Sequence, residues 1–161
     1  MMEIRPMTVL DIPACAAMVC SSEIGLRYSF SVASMSETLR AALAAGENLF
    51  VAVSGSVAGS DKAGTTSGFA WMDLHGAFSS APYLRLIAVD ESARGSGIGA
   101  ALLAEFERRG KAVGRDYCLL VSGFNERAIA FYERHGYVKR GELPDFARRG
   151  ITEILMVKKH D

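Results

Sequence analysis

Apolar residues recur along the chain with two different spacings, which predict alternating helices and strands. Strands are predicted over seven segments: residues 2–5, 49–53, 68–74, 83–89, 117–122, 137–141 and 152–158. Helices are predicted to begin near four residues: Asp11, Ser34, Gly97 and Glu126. Residues 23–32 fit either a loop or a short helix. The order of these elements predicts a mixed sheet with at least one parallel strand–helix–strand unit, built around the helix that begins near Gly97.

Local signals mark the ends of the first two helices. Asp11 is a typical N-cap residue, and Pro13 falls in the first turn that follows it. Ser34 and Glu37 have the spacing of a capping box, and Gly46 stands where the second helix should end.

Two further segments have a distinctive composition. Residues 54–67 are rich in glycine, serine, alanine and threonine, which predicts a long mobile hairpin loop between two strands. Residues 83–89 are nearly all apolar apart from Arg85, which is typical of a central strand covered on both faces.

Length and composition favour one globular domain over residues 1–161. The 161 residues are 50% hydrophobic and 22% charged, and such a chain can build a core without disulfides or metals. The 18 basic and 18 acidic residues give a formal net charge of +0, which argues against a nucleic-acid partner.

The cysteines and the apolar runs bear on location. Cys15, Cys20 and Cys118 form neither a C-x-x-C pair nor a zinc-ligand spacing, so we expect free thiols in a reducing compartment and no metal site. No apolar run approaches the ~20 residues of a membrane helix, and the first residues do not resemble a signal peptide. We therefore expect a cytoplasmic protein without a membrane partner.

The glycine-rich segment after the strand at 83–89 carries the clearest chemistry. Gly95, Gly97 and Gly99 stand between this strand and the next helix, with Arg94 beside them. Glycines allow a ligand to approach the backbone, and a helix N-terminus presents unpaired N–H groups and partial positive charge. The segment therefore favours a pyrophosphate site. The alternative is that the glycines only allow close packing of helix against strand.

A nicotinamide dinucleotide is the less suitable ligand for this segment. Gly95, Gly97 and Ala100 satisfy the G-x-G-x-x-A fingerprint, and Asp116 follows about 20 residues on, the spacing of a ribose-binding acid. However, Asp116 precedes the next strand, whereas the ribose-binding acid belongs at the far end of that strand, near Ser122.

Two motifs together resemble the GNAT family of N-acetyltransferases. The first, R/Q-x-x-G-x-G/A, corresponds to Arg94, Gly97 and Gly99. The second is an asparagine, then an aromatic-tyrosine pair seven residues on, then a glycine-aromatic pair. It corresponds to Asn125, Phe131-Tyr132 and Gly136-Tyr137. The motifs occur in the family's order, joined by one helix and one strand, and both together are far more specific than either alone.

The resemblance implies an α/β (α+β) fold with a mixed, mostly antiparallel sheet, a central pair of parallel strands that splay apart, and helices on both faces. It implies acetyl-CoA as co-substrate and no metal. The cofactor-binding residues it implies are Ile87, Ala88 and Val89, through main-chain contact with the pantetheine arm; Arg94, Gly95, Ser96, Gly97, Ile98, Gly99 and Ala100, around the pyrophosphate; and Asn125, through its side-chain amide.

The resemblance also implies the chemistry. A primary amine, on a small molecule or a peptide, would attack the thioester directly, and Tyr132 would be the general acid that protonates the departing thiolate. Helical spacing alone would instead make Tyr132 a core residue. Leu120 stands where many family members carry a basic carboxylate, so the base must be another group or water. The candidates are Glu23, Asp73, His75 and a water held by Ser122.

Two questions stay open at the level of sequence. The chain could be a non-catalytic module that senses acyl-CoA, because the expected carboxylate is missing. Family members are often homodimers, but neither composition nor motif fixes the oligomeric state of this chain.

Overall fold

A computed structural model describes residues 1–55 and 64–161 of the chain. The described residues form seven strands: β1 (Met2–Pro6), β2 (Asn48–Ser54), β3 (Thr65–Ala77), β4 (Ala81–Val89), β5 (Tyr117–Ser122), β6 (Val138–Pro144) and β7 (Thr152–Lys158). They also form five α-helices: α1 (Ile12–Ser21), α2 (Glu23–Arg27), α3 (Val32–Ala44), α4 (Ile98–Gly110) and α5 (Glu126–Arg134).

The strands form one mixed sheet in the order β1-β2-β3-β4-β5-β7-β6. The β4/β5 pair is parallel, while β1/β2, β2/β3, β5/β7 and β6/β7 are antiparallel. The parallel register joins Tyr83 to Cys118 and Leu84 to Leu119. The predicted α/β fold with a mostly antiparallel sheet and one parallel pair is confirmed.

Several predicted boundaries are confirmed and others are corrected. The bounds of β5 and β7 agree with the prediction, and α2 shows that part of 23–32 is a short helix. The predicted loop at 54–67 is shorter at both ends, because β2 runs to Ser54 and β3 begins at Thr65. Residues 56–63, where most of that loop was predicted, lie outside the described residues.

The N-cap predicted at Ser34 was wrong. The cap of α3 is Ser31, whose side chain accepts a hydrogen bond from the backbone N–H of Ser34 at 3.1 Å. Ser31 has extended backbone geometry, as an N-cap requires, while Ser34 already lies inside the helix.

The chain divides into two compact units, one of Met1–Met72 with Leu86–Phe106 and the other of Asp73–Arg85 with Glu107–Asp161. The core of the first is formed by α1, α3, β2 and β3, with Ile12, Leu39 and Phe69 almost fully buried. That residues 1–161 are one domain in function stays a prediction.

Gly68 on β3 positions the start of α4. A Cβ atom at this residue would lie 2.9 Å from the Ala88 carbonyl oxygen and 2.9 Å from Ile98 Cγ2. No side chain fits at these distances, so glycine lets β3 approach both β4 and the first residue of α4.

The side chain of Asp11 does not cap α1, contrary to its predicted role. Its carboxylate accepts two hydrogen bonds from the guanidinium of Arg5, at 2.8 and 2.9 Å, one from the Thr8 N–H at 2.8 Å, and one from the Thr66 hydroxyl at 3.0 Å. The buried carboxylate of Asp11 therefore joins the first strand, the turn before α1 and the start of β3 through hydrogen bonds.

These hydrogen bonds make stability depend on acidity. Burial opposes the ionisation of Asp11, but the bonds from Arg5, Thr8 and Thr66 outweigh it and lower its pKa from 3.8 to about 2. The folded state is therefore stabilised by about 2 kcal/mol above pH 4, and this contribution is lost as the pH falls through 2. Urea unfolding of the Asp11→Asn variant should show a lower free energy of unfolding at pH 7 and a flatter profile between pH 5 and 2. If the dependence of the free energy of unfolding on pH were unchanged, Asp11 would not be the group that causes it.

Candidate active site

The end of β4 is partly exposed. Residues 86–89, expected to be covered on both faces, are only half buried, which corrects that prediction. The Asp90 N–H donates to the Ser67 carbonyl oxygen at 2.8 Å, and the Asp90 side chain accepts from the Ser92 N–H at 3.0 Å. These bonds from Ser92, aided by Arg94, lower the pKa of Asp90. They hold the turn that leads from the strand to the glycines.

In the turn at residues 95–97, the backbone is not covered by neighbouring atoms. Gly95 and Gly97 have φ angles of +79° and +86°, which L side chains rarely adopt, and a Cβ atom at either residue would have no neighbour within 4 Å. Between them, the Ser96 hydroxyl donates to the Ala93 carbonyl oxygen and closes the turn. Tight packing, the alternative left open by the sequence, therefore does not explain Gly95 and Gly97.

The first turn of α4 adds a set of N–H donors. The Gly97 carbonyl oxygen accepts from the Ala101 N–H at 3.0 Å, so Gly97 is the N-cap of α4. The preceding amides, from Gly97 to Ala100, have no acceptor within the helix and carry its partial positive charge. Ile98 is buried and fixes this turn in the core of its unit. The donors suit a diphosphate such as that of acetyl-CoA.

The other predicted cofactor residue, Asn125, is the N-cap of α5. Its side-chain oxygen accepts from the Ala128 N–H at 3.2 Å, and its own N–H donates to the Ser122 carbonyl oxygen at 2.9 Å. Because the cap uses the oxygen, the side-chain NH₂ group is the part that can donate to a ligand. Its role toward the pantetheine arm stays a prediction.

Tyr132 is a core residue by its packing. It is 6% exposed, and its ring stands edge-on to Phe131 at 5.2 Å and to Tyr137 at 5.8 Å between ring centroids. Burial raises the pKa of Tyr132, and the neighbouring Tyr83 adds to the rise. The hydroxyl therefore keeps its proton at neutral pH, as a general acid must before the reaction.

Three of the side chains proposed as bases are ordinary exposed groups. Glu23 pairs with Arg27 at 3.1 Å, and the Asp73 carboxylate accepts from the backbone N–H of His75 at 2.9 Å. All three candidates, Glu23, Asp73 and His75, are exposed to solvent. Nothing in their contacts assigns them a catalytic role.

A buried carboxylate escaped the sequence analysis. Glu153 on β7 is 5% exposed and accepts hydrogen bonds from the Ser122 hydroxyl, at 3.2 Å to one oxygen and 3.4 Å to the other. In the sequence, Glu153 could have been noticed as the single acidic residue of the mostly apolar strand Thr152–Lys158. The position opposite Ser122 follows only from the sheet register.

The three thiols are poor nucleophiles. Burial raises the pKa of Cys15 to about 12 and raises those of Cys20 and Cys118 as well. The thiolate is the reactive form of cysteine, so a raised pKa lowers the fraction of thiolate at neutral pH. This favours direct transfer over a reaction through an acylated cysteine.

The described residues, 1–55 and 64–161, form neither a candidate metal site nor a candidate membrane helix. Those residues contain no group of three or more histidine, cysteine, aspartate or glutamate side chains that could hold a metal ion. They also contain no helix that is long and apolar enough to cross a membrane.

A comparison with known proteins identifies the family to which the chain belongs. Residues 45–139, more than half of the chain, match the family model described as "Acetyltransferase (GNAT) domain", and the chain belongs to this family. A blasticidin-S acetyltransferase from Streptomyces morookaense is 35% identical over 77 residues, which are 48% of this chain and 56% of that protein. The matched region thus spans little more than half of that relative.

Solved structures show the same fold. A GNAT-family protein from Desulfovibrio desulfuricans has a TM-score of 0.78 at 23% identity, over 100% of both chains. A protein from Salmonella typhimurium, solved with its cofactor acetyl-CoA, has a TM-score of 0.71 at 15% identity, over 100% of this chain and 95% of the other. At these identities the likeness concerns the fold alone.

Proposed function

We propose that the chain transfers the acetyl group of acetyl-CoA to a primary amine by direct attack, with Tyr132 as general acid. The observation that carries the proposal is the start of α4, where Gly95 and Gly97 open the backbone and consecutive amides are free of helical acceptors. The family membership of the chain supports acetyl-CoA as the diphosphate ligand.

Each predicted binding residue has a part in the proposed complex. The amides from Gly97 to Ala100 hold the diphosphate, with Ser96 shaping the turn and Arg94 adding positive charge at its edge. The main chain of residues 87–89 pairs with the pantetheine arm, and the Asn125 NH₂ group donates to it. When bound, acetyl-CoA supplies the thioester that the amine attacks.

Tyr132 holds the proton needed by the leaving group. Its hydroxyl donates that proton to sulfur as the bond between the acetyl carbon and sulfur breaks. Burial raises the pKa of Tyr132, which alone would make donation harder. Burial raises the pKa of a thiol in the same direction, so a thiol that leaves in a dry site is also a stronger proton acceptor.

The acceptor is an amine on a small molecule or a peptide. The named substrate of one relative, blasticidin S, makes it a sensible first compound to test. Release of free thiol from acetyl-CoA should be followed with blasticidin S, an amino acid, a polyamine and a peptide with a free N-terminus. We expect thiol release to require one of these amines and to match the acetylated product in amount.

The alternative, a non-catalytic acyl-CoA sensor, is favoured by one observation, the apolar Leu120 at the place of the family carboxylate. A sensor would be stabilised against heat by acetyl-CoA and would release no thiol with any amine. An enzyme would be stabilised by acetyl-CoA and would also release thiol when a suitable amine is present. Under both proposals NAD should not stabilise the protein. A stabilisation by NAD equal to that by acetyl-CoA would contradict both.

A further inference from the structure

The end of β5 places a buried hydroxyl opposite a buried carboxylate. Ser122 and Glu153 are register partners, are 4% and 5% exposed, and are joined by the hydrogen bonds described above. Glutamate is rarely this buried, because removing its charge from water is costly. A functional role would explain why a carboxylate is kept at this buried position.

Glu153 lies on the same face of the sheet as Leu120. Side chains alternate along a strand, so Leu120 and Ser122 share one face of β5. Leu120 pairs with Leu155, which makes Glu153 the diagonal neighbour of Leu120 across β5 and β7. Diagonal neighbours are about 7–8 Å apart, within the reach of a glutamate side chain. A carboxylate thus stands close to the position where β5 itself offers none.

The groups around Glu153 connect it to the proposed acid. On β6 its register partner is the apolar Leu143. On β4, burial raises the pKa of Tyr83, Arg85 lowers it and Glu153 raises it, so the two charges lie near the same hydroxyl. Tyr83 in turn adds to the raised pKa of Tyr132. Glu153 and Tyr132 therefore both interact electrostatically with Tyr83, and all three belong to one compact unit of the chain.

We propose that Glu153, held by Ser122, is the carboxylate that accepts the proton of the amine substrate. This inference rests on the proposed function and adds to it the missing base. Glu153 takes one proton from the ammonium group, and the free amine then forms a bond to the acetyl carbon. The bond between that carbon and sulfur breaks, and the sulfur takes the proton of Tyr132. The nitrogen releases its second proton through solvent, which restores Tyr132, and Glu153 returns its proton to bulk water.

The chemistry shows why such a group matters. An alkyl amine with a pKa of about 10.4 is almost entirely protonated at pH 7.5, so only about one molecule in a thousand could attack unaided. A carboxylate that receives the proton lets the abundant ammonium form enter the reaction. A negative charge there also favours binding of the ammonium over binding of neutral molecules.

The test measures how acetyl transfer depends on pH. For each amine that the protein acetylates, kcat/KM is measured at several pH values below the pKa of that amine. If Glu153 takes the proton, the wild-type protein should show a weak dependence, because the abundant ammonium form reacts. If only the free amine reacts, kcat/KM rises about tenfold for each pH unit, as the fraction of free amine does. A steep wild-type dependence overturns the inference without any variant.

Variants then locate the base. Glu153→Gln keeps the size of the side chain and its contact with Ser122, and it should lower kcat/KM by about 10²-fold for strongly basic amines and make the dependence steep. Glu142→Gln is the matched control, because Glu142 is an exposed residue of the adjacent strand that pairs with Lys139. It should leave both rate and slope unchanged. Adding Leu120→Glu to Glu153→Gln should restore part of the rate by returning a carboxylate to the same face.

The outcomes separate this inference from the proposed function. Absence of thiol release with every amine counts against the proposed function. Acetyl transfer with a steep slope in the wild type, or an equal loss for all amines in Glu153→Gln, counts against Glu153 alone. Acetyl-CoA affinity, measured by calorimetry, should be the same in wild type and Glu153→Gln, because Glu153 acts on the amine.

Discussion

Replacing Tyr132 with phenylalanine should lower kcat by roughly 10²–10⁴ while leaving the affinity for acetyl-CoA nearly unchanged. The substitution removes one hydroxyl and keeps the ring that packs edge-on against Phe131 and Tyr137. The kcat is lower because, without the hydroxyl of Tyr132, the thiolate of CoA must leave without receiving a proton. Steady-state kinetics with an amine that the wild type acetylates give kcat, and calorimetry gives the affinity.

A second tyrosine serves as the matched control. Tyr117 on β5 is 6% exposed, as Tyr132 is, but no observation places it in the site. Tyr117→Phe should keep its kcat within a few-fold of wild type. If Tyr132→Phe retained full turnover, Tyr132 would be a core residue alone, as its helical spacing first suggested.

The second large effect is expected at Gly97. Alanine at this residue must adopt a φ of +86°, and its Cβ would enter the open space in which we place the diphosphate. Acetyl-CoA at 100 times its Kd should stabilise the wild type by about 2.7 kcal/mol. In Gly97→Ala we expect a loss of affinity of about a hundredfold, which would remove most of this stabilisation.

Gly46 separates backbone strain from loss of the ligand. It has a φ of +73° and an equally open Cβ position, but it follows α3 and lies outside the proposed site. Both alanine variants should lose about 1–2 kcal/mol of stability from strain. Only Gly97→Ala should also lose its response to acetyl-CoA. Equal responses in the two variants would mean that the diphosphate binds elsewhere.

Strands and motifs could be predicted because their signals are local. The strands predicted at 117–122 and 152–158 coincide with β5 and β7. Glycine allows positive φ angles and close approach of a ligand to the backbone, so the glycines at 95 and 97 let a ligand site at the start of α4 be proposed from sequence. In the structure both have positive φ angles and open Cβ positions.

Features that depend on distant contacts could not be predicted. Asp11 has the sequence of an N-cap, yet its carboxylate bonds to Thr66, 55 residues away. Glu153 meets Ser122 only through the pairing of β5 with β7, and 31 residues separate them. The apolar run that includes residues 86–89 predicted a covered strand, because sequence reports hydrophobicity and not which neighbours cover it.

The most direct test of the proposed acetyl transfer is a labelling experiment with acetyl-CoA that carries isotope in its acetyl group. The protein is incubated first without an amine and then with an amine that it accepts. Direct transfer predicts no thiol release and no label on the protein in the first step. In the second step it predicts one labelled amide for each free thiol. Label retained on a cysteine would contradict direct attack. Stabilisation by acetyl-CoA without any labelled amide would show a sensor and not an enzyme.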